Sequence, residues 1–165
     1  MNIFLLDEDI DLAVQYACDK HVVKMLTESV QILSTAAIVN GFDGAPYRKT
    51  HEHHPCVKWA ASSRDNYEWL LDFARAQYRE YNYRYGKIHM AGVKLETCLL
   101  NGEVLKHIPV GDLVPPPEAM PEIYRTKNTE TRSWSDTVAA YRRYYLGEKL
   151  RFSKWTNRPV PYWIE

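Results

Sequence analysis

Apolar positions along the chain recur at helical rather than strand spacing over most of its length. From residue 20 to 39 neither Gly nor Pro intervenes. At about 100° per residue, Val22, Val23, Met25, Leu26, Val30, Ile32, Leu33, Ala36 and Ala37 fall on one broad arc, and Lys24, Thr27, Gln31, Ser34 and Thr35 on the other. This spacing predicts a long helix with one buried side, capped by Asp19 and stopped by Asn40-Gly41. His21 and Glu28 lie on the boundary between the arcs, on the same edge, with Lys24 beside them.

The flanking pattern completes an all-helical reading. Residues 1–6 form an apolar lead too short to make a sheet alone, and the acidic turn Asp7-Glu8-Asp9 can cap a short helix over residues 10–17. Residues 56–85 are again helical, with Trp59, Tyr67, Leu70, Leu71 and Ala74 as core candidates, Pro55 in the first turn, a break at Ser62-Ser63 and Gly86 at the end. A short helix over 93–100 precedes Gly102. Residues 41–54 read as a polar loop, and residues 109–122, with five prolines, as an irregular one. A last helix over 136–146, capped by Ser135 and ended by Gly147, leads into an extended tail pinned by its tryptophans. The expected fold is mainly α: a single compact helical domain over residues 1–165, with a long loop and an extended C-terminal tail.

Composition narrows the setting. A length of 165 residues suits one domain, and 45% hydrophobic with 25% charged residues is ordinary for a globular protein. No apolar run approaches the ~18 residues of a membrane span, so a soluble protein with no membrane partner is expected. The N-terminus lacks a basic segment and turns acidic by Asp7, and Cys18, Cys56 and Cys98 follow no disulfide pattern. Both point to a reducing cytoplasm, the host cell's if the chain is phage-encoded.

A net charge of zero argues against wrapping nucleic acid by bulk electrostatics, yet the charge is uneven. Residues 1–30 hold six acids against Lys20 and Lys24, whereas residues 125–158 hold nine basic residues against three acids. Twelve Tyr and five Trp, many beside Arg or Lys, suit stacking on bases and equally suit a Tyr-rich core.

The chain has no Gly-rich phosphate loop, nucleophile elbow, CxxC pair or HExxH sequence. No cofactor is implied. The stripe His21, Lys24, Glu28 is the first candidate site, because a carboxylate beside His and Lys at an apolar boundary can be tuned for acid or base work. An exposed helix face with ordinary ion pairs has the same spacing. In His51-Glu52-His53-His54 the adjacent His53 and His54 point apart on most backbones, so no metal is expected, and one histidine facing substrate is the simpler role. Arg84 and Lys87 flank a helix C-terminus, where the helix dipole alone favours cations.

With these residues laid out, the chain resembles the phage-type pyrimidine-dimer DNA glycosylases, small helical enzymes with associated abasic-site lyase activity. Asp19, His21 and Glu28 match an Asp-x-His pair followed seven residues after the His by a catalytic Glu. His54 ahead of residues 55–85 and the segment Tyr141-Arg142-Arg143-Tyr144-Tyr145-Leu146-Gly147-Glu148-Lys149 are similar to further parts of that family. The stretches 18–28, 54–59 and 84–89 are also similar to other phage proteins.

The resemblance implies base flipping, attack on the sugar C1′ by the N-terminal α-amine, and a Glu that stabilises the imino intermediate. α-Amines in general titrate near ~7.7–8.0, which leaves a neutral fraction to attack. Carried onto this chain, the catalytic residues are Glu28, His21 and Met1, and the substrate contacts are Lys24, His54, Arg84, Lys87, Arg142, Arg143, Tyr144 and Tyr145. The family's terminal residue is a Thr exposed by methionine removal. Here the bulkier Asn2 favours retention of Met1, and Thr27 and Gln31 stand where the family has phosphate-binding arginines. Three functions therefore stay open: a glycosylase/lyase on damaged or modified DNA, an enzyme of the same fold on a free nucleotide or nucleoside derivative, and a non-catalytic binder of nucleic acid or a host partner.

Overall fold

The computed structural model of the protein describes residues 1–164. Six α-helices follow in order: α1 (Ile10–Tyr16), α2 (Asp19–Val39), α3 (Pro55–Ser62), α4 (Arg64–Tyr85), α5 (Met90–Cys98) and α6 (Trp134–Tyr144), with no strand among the described residues. α2 packs on α3, α4 and α5, and α1 packs on α4. An 18-residue stretch of α2 has the length and composition of a membrane span, at a mean hydropathy of 1.4, but 61% of it is buried inside the fold. It is the domain's central core helix.

The lead at residues 1–6 becomes the joint of the fold. It runs without regular structure, yet Ile3, Leu5 and Leu6 are fully buried and Phe4 nearly so. Ile3 belongs to the core around α2, α3 and α4, whereas Phe4, Leu5 and Leu6 belong to a second core with Met25, Val138, Tyr141 and Tyr145. Each such side chain contributes roughly 1.5–3 kcal/mol on burial. The N-terminal segment thereby cements α6 to the bundle.

Helix ends follow local chemistry, with three departures. Asn40 and Gly41 (φ 88°) end α2, Pro55 opens α3, α3 and α4 divide at Ser63, and Gly86 (φ 59°) closes α4. Asp19 does not cap α2. It is the helix's first residue, and its carboxylate instead accepts from Thr156 N–H (2.9 Å), Thr156 Oγ1 (2.7 Å) and Arg84 (3.0 Å). The cap of α6 is Ser133 rather than Ser135, in a reciprocal capping box with Asp136. Gly147 does not stop that helix, which runs on as a wider π turn over Tyr145–Lys149. A Cβ at Gly147 would lie 2.3 Å from the Tyr124 hydroxyl, so any larger residue there has to displace the Tyr124 ring.

Sequence spacing also misplaced part of the α2 surface. Ser34 and Thr35 are buried and Val23 is 47% exposed. Thr35 Oγ1 donates to the Thr50 carbonyl and accepts its N–H, both at 3.1 Å, because the 41–54 loop folds over that side.

The C-terminal tail is held by a buried ionic clamp. Arg84, fully enclosed, donates to Glu80 (2.7 Å), Asp19 (3.0 Å) and the Gln15 carbonyl (2.8 Å), and Arg158 from the tail joins Glu80 at 2.9 Å. The expectation that Arg84 contacts substrate is corrected: it ties α1, α2 and α4 together from within. Truncating one partner of a buried ion pair leaves the other charge uncompensated, at about 3–5 kcal/mol. Arg84→Ala is expected to lower unfolding stability by about that much in urea denaturation. A loss below ~1 kcal/mol would return Arg84 to the surface role.

Candidate active site at the N-terminus

Glu28 and the chain's first two residues meet at one point. Burial of Ile3 to Leu6 fixes the direction from which the chain arrives, and the Met1 side chain is itself only 5% exposed. Glu28 Oε2 lies 3.7 Å from the Met1 ammonium and accepts the Asn2 N–H at 3.0 Å. Lys24, one turn earlier on α2, reaches the other carboxylate oxygen at 3.3 Å. Lys24, Thr27, Glu28 and Gln31 form a single stripe, partly or fully open to solvent.

Asn2 locks this arrangement from the other side. Its amide donates to the Ala119 carbonyl (2.8 Å), and its Oδ1 accepts from Tyr141 Oη (2.6 Å) and Ile3 N–H (2.8 Å). The same hydroxyl lies 2.7 Å from the Pro117 carbonyl, so its one proton is shared between these two acceptors. The proline-rich loop and α6 therefore position the terminal amine against Glu28.

The loop before α3 supplies the third wall. His54 Nδ1 accepts the Cys56 N–H at 3.2 Å as the α3 cap, so in the neutral ring Nε2 carries the proton and can donate to a ligand. Burial holds the His54 pKa below its ordinary value, and the Met1 ammonium and His51 reinforce this. Cys56 lies beneath, its thiol pushed up to about 12 by burial. His51 sits at φ 50°, an uncommon conformation for a residue with a Cβ. No three His, Cys, Asp or Glu side chains converge as metal ligands among the described residues.

His21 lies behind the site rather than in it. Its ring stacks on Phe4 at 4.2 Å and its Nδ1 is 2.5 Å from the Tyr145 hydroxyl. Burial, with Lys149 and Lys24 nearby, lowers its pKa to about 3. It is a neutral support for the N-terminal segment.

Two more expected substrate contacts already have partners within the fold. Tyr145 is buried, its hydroxyl shared by His21 and the Cys18 N–H. Arg142 binds Asp7 and the Leu6 carbonyl at 2.9 Å each and lies against Tyr162 and Trp163. In contrast, Lys87 is exposed, Arg143 is exposed with its guanidinium on the Tyr124 carbonyl, and Tyr144 lies half-buried between Phe4 and Lys149. Lys20, over Phe152, extends this basic and aromatic flank. Asn2 and Tyr141 were not foreseen as parts of the site, since their pairing spans 139 positions and leaves no local pattern.

The fold and the site together define a helical bundle that buries its N-terminal segment and sets the terminal amine against a helix-borne carboxylate. Residues 1–92, which contain every part of this arrangement except the α6 and proline-loop braces, match the pyrimidine dimer DNA glycosylase family. The chain belongs to that family, which implies a glycosylase-type activity with DNA as substrate. No curated protein and no solved structure matches it.

The buried His21 has a measurable consequence. Its folded pKa is depressed, so its contribution to stability is present above pH 6.5 and is lost as pH falls toward about 3, where only the unfolded chain takes up the proton. In NMR titration its ring resonances are expected to stay flat between pH 5 and 8, and His21→Phe should blunt acid destabilisation in that window. A midpoint near pH 6.5 would contradict the buried, neutral ring.

Proposed function

We propose that the protein is a DNA glycosylase with abasic-site lyase activity on a damaged or modified base, with the Met1 α-amine as nucleophile and Glu28 as the catalytic carboxylate. The observation that carries this reading is the contact of Met1 and Asn2 nitrogens with one Glu28 oxygen, at 3.7 and 3.0 Å. A base within a duplex is out of reach of such a site, so the nucleotide is flipped, at a cost of a few kcal/mol that is smallest for damaged pairs.

The neutral amine attacks C1′, the C1′–N bond breaks, and the base leaves with the bonding electrons and is protonated by solvent. The attached nitrogen then loses a proton and its lone pair breaks the C1′–O4′ bond, O4′ taking up a proton. This opens the sugar and leaves an iminium between Met1 N and C1′ opposite the Glu28 carboxylate. Loss of a C2′ proton to a base then expels the 3′ phosphate, and water releases the amine. Lys24 beside Glu28 suits a flanking phosphate, and the His54 Nε2–H suits an acceptor on the sugar or base. His21 acts only through Phe4, as a positioning residue.

Zero net charge and the absence of arginine at Thr27 and Gln31 favour a second reading, a free nucleotide substrate. Duplex binding should weaken steeply between low and moderate salt; affinity for a mononucleotide with none for DNA would support the alternative.

Borohydride reduction with abasic DNA tests the chemistry. The unmodified protein should form a covalent adduct, Glu28→Gln should slow its formation by about a hundredfold, and acetylation of the α-amine should abolish it. An adduct that persists on the acetylated protein assigns the nucleophile elsewhere.

A further inference from the structure

On the link between α4 and α5, which is tied to α2 at Val23, the fold leaves apolar side chains in water. Ile88 is 72% exposed and Met90 64%, on either side of His89, and Val23 on α2 is itself 47% exposed. Single exposed apolar residues are ordinary, but these stand together on a rigid mount. His89, between them, accepts the Ala91 N–H on Nδ1 (3.2 Å), which leaves Nε2 to donate to the Val23 carbonyl at 2.9 Å. Tyr81 packs edge-on against the same ring at 4.8 Å. The backbone is thus pinned to α2 while both tips project outward.

The surroundings are cationic. Lys87 immediately precedes Ile88, and Lys20 and Lys24 flank Val23 in a shallow depression completed by Asp19 and Tyr85. Asp19 is already taken up by Arg84 and Thr156, and neither Lys20 nor Lys87 has a carboxylate partner among the described residues. Apolar tips ringed by lysines match a polyphosphate backbone around a stack of bases rather than an apolar protein surface. Val23 and Glu28 lie on the same helix, five residues apart.

We propose that Ile88 and Met90 form a wedge that enters the base stack of duplex DNA beside the flipped nucleotide, with Lys87 and Lys20 on the flanking phosphates. This rests on the DNA glycosylase reading of the Glu28 site and goes beyond it by naming duplex DNA as the substrate form and this link as its contact. The wedge fills the stacking space that the flipped nucleotide vacates, so its contribution exists only where there is a stack to enter. A free nucleotide or an unstacked single strand gains nothing from it.

The test uses the full chain and an oligonucleotide with an abasic-site analogue next to 2-aminopurine, as duplex and as single strand. The wild type should raise 2-aminopurine fluorescence in the duplex. The ratio of duplex to single-strand affinity should fall about tenfold in the Ile88→Ser/Met90→Ser variant and stay near the wild-type value in Ile88→Leu/Met90→Leu. Thermal melting of each variant verifies folding. An unchanged ratio in the serine variant, or an equal loss on both DNA forms, overturns the wedge. A wild type that is trapped by borohydride on abasic DNA yet gives no fluorescence rise overturns the wedge alone; one that is never trapped overturns the glycosylase reading with it.

Discussion

Burial of the first six residues is the constraint on which the rest of the structure depends. An N-terminus normally frays, because a few residues cannot offset the entropy of ordering them. Here Ile3, Phe4, Leu5 and Leu6 each lie in a core, and together they join the α2–α4 bundle to α6. The terminal amine is therefore held where the hydrophobic packing puts it, and Glu28, projecting from the central helix, meets it there. Stability and chemistry share one segment.

The interior polar groups serve the same end. His21 and Tyr145 brace Phe4, Tyr141 and the Ala119 carbonyl brace Asn2, and Arg84 with Asp19 and Glu80 fastens the C-terminal tail across the start of α2. Zero net charge conceals this division of labour. Arg84, Arg142 and Arg158 are engaged in internal ion pairs, whereas Lys20, Lys24 and Lys87 remain exposed on the side that carries the site. What matters for DNA is the local distribution, not the sum.

Features set by neighbouring residues were legible in the sequence. The Asn40-Gly41 stop, Pro55, the break at Ser63 and Gly86 are local, as is the Lys24–Glu28 pair one turn apart. Caps were misplaced where two candidates stood close together, as with Ser133 and Ser135. Arg84, Arg142 and Tyr145 look like solvent-facing cations and aromatics on a helix, and only partners 65 to 135 positions away show that Arg84 and Tyr145 are buried and Arg142 is held in an ion pair. The candidate site itself was half visible: Glu28 by spacing and resemblance, but Asn2, Tyr141 and the strained His51 only once the chain is folded.

The central claim is that the amine of Met1 works with Glu28. Its most direct test is mass spectrometry of peptides from the borohydride-reduced complex with abasic DNA. The account predicts the sugar remnant on the α-nitrogen of the N-terminal peptide. Its appearance on Lys24, the other amine in contact with Glu28, would contradict the account.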